Sequence, residues 1–315
     1  MPVWMLPMTE WVPRLEVAIC TLNRCSDLLT TLRGLEKQRC AFEWEILVVD
    51  NGSEDGSLGA AQDFAGKSEL RIRSIREPRR GISFARNHAL KTATGEILVF
   101  IDDDMDCDPG LLESHLRSFE DPSVMATGGR ILPRLPSSTP GWLAAALDEE
   151  IGGPTGRYDF GDEVVEITPE SGIALPFSGN LGLRRSVALQ VGGFRTDLGW
   201  TEDGKRLGSE DNDLLRRIRR LGGKTLYLPT AKVIHRVQAE RVSKAYYRTW
   251  NLGYGRSSVI MRGRLDPVTN IAKIVEELFR IIRYSAPPSL FFDSKAKRLR
   301  KRYQAMGRIL QLIGL

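Results

Sequence analysis

The most constraining feature of the sequence is a short apolar run that ends in three consecutive carboxylates. Residues Ile97 to Ile101 are all apolar and rich in β-branched and aromatic side chains, and Asp102, Asp103 and Asp104 follow at once. A run of this length and composition predicts a buried β-strand. Open α/β sheets bind their ligands at the carboxyl ends of the strands, so the carboxylates stand where a ligand would bind.

Three adjacent carboxylates repel one another, and they need a cation or strong hydrogen-bond donors nearby. Hard oxygen ligands of this kind suit Mg²⁺ or Mn²⁺, which keep open positions for phosphate oxygens. The alternative is a solvated acidic turn that leads into Pro109, because aspartate-rich turns are common. The triplet alone does not decide between the two interpretations.

The first half of the chain alternates predicted strands with predicted helices. Further apolar runs predict strands over 15–20, 45–49 and 70–75. Helical spacing and helix-start residues predict helices over 26–38, from Gly81 onwards and over 109–119. Ser26 or Asp27 can cap the first of them. Strands that alternate with helices in this way are typical of a mostly parallel sheet.

Polar side chains follow the first two predicted strands. The segment Thr21-Leu22-Asn23-Arg24 comes after the first strand, and we interpret it as a polar lip that can contact a nucleotide base. Asp50 closes the second strand, where a carboxylate commonly bonds a ribose hydroxyl, and Asn51 follows it. Ordinary turn chemistry explains both segments equally well.

Basic residues precede the second predicted helix. Arg79 and Arg80 lie directly before Gly81, at a position where helix amino ends attract phosphate. Arg86 follows among apolar neighbours, and a half-buried arginine usually has an anionic partner. The prediction is therefore an anion-binding helix entry, with solvated surface arginines as the alternative.

The middle of the chain, 131–176, is irregular and rich in Pro and Gly, which favours a binding loop over a linker. Gly179 lies in the strand-like segment that follows, and a glycine there suggests close backbone approach to a ligand. A later helix begins with acidic residues, including Glu210 and Asp211, and ends with basic ones, which the helix dipole explains in part. Two short strands are predicted after it, over 224–228 and 232–236. Candidate sugar-stacking tryptophans are Trp142, Trp200 and Trp250, although a core role is the alternative for each.

Composition limits the class of protein. The chain has 315 residues, of which 42% are hydrophobic, enough for one large α/β domain with an appendage or for two domains. The formal net charge of +5 favours anionic small molecules or membrane surfaces, and no nucleic-acid module is visible. Three histidines are too few for a histidine-built metal cluster. We interpret the four cysteines as reduced thiols, and the amino terminus does not resemble a signal peptide, so we expect a cytoplasmic protein.

Taken together, these segments resemble the family 2 glycosyltransferases of the GT-A fold. The resemblance covers about Leu15 to Val237, and it depends on five motifs that occur in the family's order. They are Thr21-Leu22-Asn23-Arg24, Val49-Asp50-Asn51-Gly52-Ser53, Gly81 to Asn87, Phe100 to Asp104, and Gly208-Ser209-Glu210-Asp211. Ser178-Gly179-Asn180 and His235 are supporting positions. The implied fold is α/β: a Rossmann-like, mostly parallel central sheet flanked by helices, with a C-terminal helical extension.

The resemblance also implies roles for individual residues. Asp211 would be the catalytic base, and Glu210 would contact the donor sugar or the acceptor. A metal would be held by Asp104, Asp102 and His235, although a structural role for His235 stays open. The residues implied for the nucleotide-sugar are Thr21, Asn23, Arg24, Asp50, Asn51, Arg80, Arg86, Asp102, Asp103, Gly179 and Asn180.

The implied reaction is a single displacement that inverts the anomeric carbon. A sugar would pass from a nucleotide-diphospho-sugar, by family expectation a UDP-sugar, to an acceptor hydroxyl in polysaccharide, glycolipid or glycoconjugate synthesis, assisted by Mn²⁺ or Mg²⁺. A catalytically silent nucleotide-sugar-binding protein is the alternative, which the joint presence of the acidic strand end and Asp211 disfavours. A nucleotidylyltransferase would have a Gly-rich loop after the first strand, where this chain has the Gly-poor 21–24.

The last third of the chain predicts helices over 241–262, from Pro267 onwards and over 294–312, the last strongly basic. We therefore divide the chain into a tail (1–14), a catalytic domain (15–238) and a helical extension (239–315). One interpretation of the extension is a packed appendage with a solvated basic face. The other is peripheral contact with the inner face of a membrane, which would bring the site to a lipid-linked rather than a free saccharide acceptor.

Overall fold

The computed structural model describes residues 14–144, 153–200, 206–263, 266–285 and 295–314. Its strands are β1 (Leu15–Thr21), β2 (Trp44–Asp50), β3 (Ile72–Arg76), β4 (Ile97–Ile101), β5 (Met105–Cys107), β6 (Val124–Arg134), β7 (Val165–Glu166), β8 (Asn180–Arg184) and β9 (Lys224–Arg236). Its helices are α1 (Cys25–Leu35), α2 (Ser57–Ala65), α3 (Ile82–Thr92), α4 (Leu111–Ser118), α5 (Arg185–Gln190), α6 (Glu210–Arg219), α7 (Lys244–Ile260), α8 (Pro267–Ser285) and α9 (Lys295–Leu312). Short 3₁₀ turns occupy Gly153–Thr155 and Ala239–Val242.

Within the described residues, nine strands form a single sheet in the order β3-β2-β1-β4-β8-β6-β9-β5, with β7 paired to β9. The strands β3, β2, β1 and β4 are all parallel, whereas β8 is antiparallel to both of its neighbours, β4 and β6. The carboxyl ends of β1, β2 and β4 consequently meet at one edge of the sheet. The predicted α/β fold with a mostly parallel central sheet is confirmed.

The central strands are buried because helices cover both faces of the sheet, as near-continuous apolar runs require. All five residues of β4 are buried, and the apolar residues of β1 and β2 pack in the same core cluster. The chain leaves the core where β4 ends, and Asp102, Asp103 and Asp104 are the next residues. The apolar run therefore positions the acidic triplet at the sheet edge.

Local predictions differ from the structure in three places. Helix α1 begins at Cys25, and neither Ser26 nor Asp27 caps it; the Asp55 carboxylate accepts the Cys25 N–H from a different loop, at 2.8 Å. The segment predicted to be irregular from residue 131 includes the end of β6, which pairs with β9 as far as Arg134. The two short strands predicted near residues 224–236 form one strand, β9, whose register shifts opposite Gly129 and Arg130.

The extension packs as a helical layer beside the catalytic fold. Helix α9 lies against α7 through glycines: a Cβ at Gly255 would come 2.1 Å from the Gln304 carbonyl oxygen, and one at Gly307 would come 2.0 Å from that of Leu252. Helix α8 packs against α9, where Glu277 pairs with Arg308 at 2.7 Å. None of the helices in the described ranges combines the length and the apolarity that crossing a bilayer requires.

Candidate active site

Two adjoining cavities open at the carboxyl edge of the sheet. The first, which we call the strand-end cavity, has a volume of about 440 Å³ and is lined by residues after β1, β2 and β4, together with His235 and Arg241. The second, the helix cavity, has a volume of about 520 Å³ and is lined by the start of α6 and by side chains of α7 and α9. Arg86, Asp102 and Glu210 line both cavities, so a bound molecule can extend from one into the other.

Asp104 is the centre of a charged cluster in the strand-end cavity. The residue is 0% exposed, and its Oδ2 lies 2.6 Å from Arg24 Nη1, 3.4 Å from Arg241 Nη2 and 3.3 Å from His235 Nε2. Burial alone would raise the pKa of Asp104, but His235, Arg241 and Arg24 together hold that pKa well below its ordinary value. Asp104 is therefore a carboxylate at neutral pH.

His235 is oriented by the backbone. Its Nδ1 lies 2.5 Å from the Thr155 carbonyl oxygen, and since a carbonyl only accepts, Nδ1 carries a proton. The other nitrogen, Nε2, faces Asp104 and lies 3.3 Å from Arg241 Nη1. A histidine that donates one ring N–H to a carbonyl and turns the other nitrogen toward a carboxylate has the arrangement common among metal ligands.

The strand-end residues fit a divalent cation only in part. Asp104 Oδ1 is buried and has no hydrogen-bond partner in the described ranges of the chain, which suits an oxygen that binds a cation. The predicted three-residue set is not gathered, however, because Asp102 turns toward Arg86, 3.6 Å away. No group of three or more His, Cys, Asp or Glu that could hold a metal occurs in the described part of the chain. Asp104 and His235 could hold Mg²⁺ or Mn²⁺ if phosphate oxygens supplied further ligands, as is usual for Mg²⁺.

Asp103 and Thr21 support the cluster from below. The Thr21 hydroxyl donates to Asp103 Oδ2 at 2.7 Å, and Arg24 Nη1 lies 3.0 Å from the other Asp103 oxygen. Burial raises the pKa of Asp103 to about 7, even though the Arg24 charge opposes that shift. Arg24 thus bridges Asp103 and Asp104 and fixes their relative position.

The wall shared by the two cavities carries a buried ion pair. Arg86 is 6% exposed, and its Nη1 lies 2.5 Å from Glu210 Oε1. Burial, and then the charge of Asp211, raise the pKa of Glu210 to about 7 although Arg86 opposes the shift. The predicted anionic partner of Arg86 is therefore an adjacent carboxyl of the site.

Asp211 is held in place by backbone groups at the floor of the helix cavity. Its Oδ2 accepts the Ser178 N–H at 3.2 Å, and its Oδ1 accepts the Asn212 N–H at 2.7 Å. Ser209, just before α6, adopts a left-handed backbone with φ of 73°, which is uncommon for a residue other than glycine. This turn brings Glu210 and Asp211 onto the cavity wall at the first turn of α6.

The sequence of the chain also matches the model of a known family. The model of glycosyl transferase family 2 matches residues 16–178, just over half of the chain. The chain belongs to glycosyl transferase family 2. It is therefore a glycosyltransferase, as the order of its motifs predicted.

Individual relatives of this family 2 enzyme differ in how much of the chain they match. The uncharacterized glycosyltransferase YfnE of Bacillus subtilis is 36% identical over 120 residues, which are 38% of this chain and 30% of that protein. A glucosyl-dolichyl phosphate glucuronosyltransferase of Haloferax volcanii is 24% identical over 248 residues, 77% of this chain and 76% of that protein. Among solved structures, mannosyltransferase PcManGT from Pyrobaculum calidifontis, in complex with GDP-Man and Mn²⁺, shares the fold with a TM-score of 0.63 at 19% identity, over 96% of this chain and 88% of that one.

Several residues predicted for the nucleotide-sugar do line the strand-end cavity of this family 2 chain. Asn51 accepts the Gly81 N–H at 2.9 Å and also donates to the Arg79 carbonyl at 2.7 Å, so it ties the end of β2 to the entry of α3. Arg80 lies beside it and pairs with Glu54 at 2.7 Å. The cavity-lining residues from the predicted set are Thr21, Arg24, Asn51, Arg80, Arg86, Asp102, Asp103, Asp104, Gly179, Glu210 and His235. Asp211 lines the adjoining helix cavity.

Three predicted residues lie outside both cavities. Asn23 is exposed, and its side chain accepts the Glu54 N–H at 2.8 Å. Asp50 is 1% exposed beneath the edge, where both of its oxygens accept the Ser53 N–H at 3.2 Å. Asn180 is fully buried in β8 and bonds His115. Their polar groups bond other groups of the protein. A role of these three side chains toward the nucleotide-sugar stays a prediction.

Gly179 does require close approach, although to protein atoms. A Cβ there would come 2.9 Å from the Met105 Cε and 3.1 Å from the Asp102 Oδ2. Arg241 is a charged residue of the strand-end cavity that sequence reasoning missed. It lies six residues after His235, on the turn that begins the extension, and only the chain reversal after β9 brings it back to Asp104.

Proposed function

We propose that this protein transfers a sugar, with inversion, from a nucleotide-diphospho-sugar to an acceptor hydroxyl, with Asp211 as the general base. One observation carries the proposal: a cavity at the strand ends, lined by arginines and by the acidic triplet, adjoins a second cavity that contains a fixed carboxylate. The first suits a diphosphate, because Arg24, Arg80, Arg86 and Arg241 all line it. The second suits the acceptor, because Asp211 lies on its floor.

In the proposed reaction, the acceptor hydroxyl binds beside Asp211, which takes its proton as the oxygen attacks the anomeric carbon. The bond from that carbon to the diphosphate oxygen breaks as the new glycosidic bond forms, and the diphosphate leaves on the opposite face. We favour Asp211 over Glu210 as the base, because Arg86 occupies Glu210. Glu210 and Arg86 would then orient the donor sugar at the junction of the cavities.

Negative charge grows on the departing diphosphate, and the arginines of the strand-end cavity would stabilise it. One charge pair at 4 Å contributes about 4 kcal/mol at an effective dielectric of about 20. Since about 1.4 kcal/mol changes a rate tenfold, two such contacts account for several powers of ten. A divalent cation held by Asp104 and His235 would add Lewis-acid stabilisation of the same charge. The Mn²⁺ in the PcManGT complex supports this part of the proposal.

A sugar-nucleotide panel tests the proposal and separates it from a catalytically silent binding protein. We expect at least one UDP- or GDP-sugar to bind more tightly with Mn²⁺ or Mg²⁺ than without, by calorimetry, and to be hydrolysed slowly when no acceptor is present. Binding without any hydrolysis or transfer across a set of acceptors would favour the silent protein. Failure of every nucleotide to bind would refute the proposed function.

We further propose that helix α8 docks the enzyme on an anionic membrane. Six apolar side chains face solvent along one stripe of α8: Val268 (76% exposed), Ile271 (64%), Val275 (45%), Leu278 (47%), Phe279 (68%) and Ile282 (67%). Their spacing of three or four residues makes the stripe continuous. Glu277 lies nine residues after Val268, on the opposite face of α8, and it is buried against α9. The helix therefore directs its apolar side outward, the reverse of a surface helix that covers a core.

Charge supports a bilayer as the occupant of this stripe. Helix α9, which packs beside α8, contains seven Lys and Arg residues and no acidic residue. Interfacial helices combine an apolar face with nearby cations, which anionic lipids attract. Such contact would bring the site to a lipid-linked acceptor, and one relative is named as a dolichyl phosphate enzyme.

Vesicle binding tests the docking surface. We expect the protein to float with vesicles that contain phosphatidylglycerol at low salt. The double substitution Ile271→Glu with Phe279→Glu should reduce the bound fraction at least tenfold, because it places charges where apolar side chains would be buried in the bilayer. Leu221→Glu changes an exposed leucine, 42% exposed, in the catalytic domain and should leave binding unchanged. Dimerisation in solution that the α8 substitutions abolish, without any vesicle binding, would show that a second copy covers the stripe.

A further inference from the structure

The helix cavity has one wall that the transfer step does not use. That wall comes from the extension, where Trp250 and Tyr254 lie on α7 and Arg300, Lys301 and Gln304 lie on α9. It is held firmly, because Gln304 donates to Asn251 on α7 at 3.0 Å and because the glycine contacts of α7 and α9 exclude any side chain between them.

Charge is divided between the two ends of this cavity. Of its described acidic residues, Asp102 and Glu210 also line the strand-end cavity, and Asp211 follows Glu210 directly on α6. Arg300 and Lys301 lie on the extension wall, and Arg206 joins them, its guanidinium 4.5 Å from the centre of the Trp200 ring. A neutral saccharide would not require cations at that end, whereas an acceptor with an anionic group would.

Two buried hydroxyls also await partners. Ser178 is 2% exposed and Ser209 is 8% exposed, and both line the helix cavity. Neither Oγ has a hydrogen-bond partner among the residues that the structure describes. Buried hydroxyls are normally satisfied, so an unpartnered pair beside Asp211 indicates a hydroxylated ligand. The rings of Trp250 and Tyr254 stack 5.6 Å apart and offer aromatic surface on the same cavity, as sugar-binding sites commonly do.

We propose that the helix cavity binds an acceptor that carries a phosphate or diphosphate group, with its sugar beside Ser178, Ser209 and Asp211 and its phosphate against Arg300 and Lys301. The inference rests on the proposed function, since it names the class of acceptor. Phosphate is the anion chosen because adjacent Arg and Lys side chains on one helix provide several charge-assisted donors. The phosphate can belong to a lipid carrier or to a free sugar phosphate, and the binding of defined probes distinguishes them.

Binding of defined probes tests the phosphate site directly. With the nucleoside diphosphate product present to fill the strand-end cavity, we expect farnesyl phosphate to bind at least tenfold more tightly than farnesol by calorimetry. Arg300→Gln with Lys301→Gln should weaken farnesyl phosphate by about a hundredfold, since each lost charge-assisted bond is worth about tenfold. Nucleotide binding should not change. Lys297→Gln removes an exposed cation of α9 outside the cavity and should have no effect.

The source of the phosphate follows from a second pair of probes. If the parent enzyme binds glucose 1-phosphate but not methyl glucoside, and the double variant binds neither, the site takes a free sugar phosphate. If the double variant loses affinity only for farnesyl phosphate, the phosphate belongs to a lipid carrier. Equal binding of farnesol and farnesyl phosphate, or weaker nucleotide binding in the double variant, would overturn the proposal. Arg300→Lys, which keeps the charge, should retain most of the affinity and exclude misfolding as the cause. The phosphate probes remain informative even if no sugar nucleotide proves to be a donor.

Discussion

The Asp211→Asn variant is expected to bind the donor nucleotide as tightly as the parent enzyme and to lose transfer by about 10²- to 10⁴-fold, the range typical for a positioned general base. The amide keeps the shape of the carboxylate, and its oxygen can still accept one of the two backbone N–H groups at Ser178 and Asn212. It cannot take a proton from the acceptor hydroxyl. Donor binding is measured by calorimetry and transfer by product formation under saturating donor.

A matched control lies two residues further along α6. Asp213 also belongs to the first turn, but it pairs with Arg217 at 2.8 Å and does not line either cavity. Asp213→Asn should therefore leave kcat within about threefold of the parent value while it lowers the melting temperature slightly. Near-normal transfer by Asp211→Asn would rule out this residue as the base. A loss of donor binding in the same variant would indicate that Asp211 contacts the donor and not the acceptor.

The second large effect is expected at Asp104. Asp104→Asn removes the charge that Arg24, Arg241 and His235 surround, and with it the carboxylate proposed to bind the cation. One charge contact of about 4 kcal/mol corresponds to about a thousandfold, so both Mn²⁺ affinity and donor turnover should fall by about that factor. Mn²⁺ binding is measured by electron paramagnetic resonance, independently of turnover. Because Asn leaves buried cations without their counter-charge, the free energy of unfolding should also fall by about 3–5 kcal/mol, and all binding is measured below the melting transition.

Asp106→Asn is the comparison variant for Asp104. Asp106 lies two residues after Asp104 and does not line the strand-end cavity. Its carboxylate pairs with Arg134 at 2.7 Å and also bonds Arg236. Its Mn²⁺ affinity should match that of the parent enzyme. If Asp104→Asn binds Mn²⁺ normally and still loses turnover, the cluster acts through its arginines alone, and no cation is held there.

The sequence predicts this fold well where a strand is apolar throughout. The apolar run 97–101 predicts β4 correctly because five consecutive apolar residues have no stable place except a covered sheet. The cap of α1 escapes prediction because its acceptor, Asp55, is supplied by a loop 30 residues away. For the extension, the sequence leaves a packed appendage and a membrane-contacting surface as alternatives. Periodicity predicts that α8 has an apolar face. The structure shows that α9 packs against the opposite face and that the described residues leave the apolar face exposed.

The sequence predicts the site less completely than the fold, because contacts between distant parts of the chain decide which polar groups stay available to a ligand. Strand-end position predicts Asp104, an apolar neighbourhood singles out Arg86, and the family resemblance implies Asp211. All three line the two connected cavities, and their roles stay predictions. Position alone does not tell which polar groups the protein itself will satisfy, and Asp50 and Asn180 are examples, since both bond neighbouring protein groups behind the cavity. The set of cations that contact Asp104 depends on contacts between residues more than a hundred positions apart, such as Arg241 with Asp104.

The most direct measurement is a crystal structure of the enzyme with its nucleotide-sugar donor and Mn²⁺. The account predicts that the diphosphate lies in the strand-end cavity against Asp104, His235 and Arg241, with the anomeric carbon turned toward Asp211 across the junction. A donor bound elsewhere, or an anomeric carbon whose open face points away from Asp211, would contradict it.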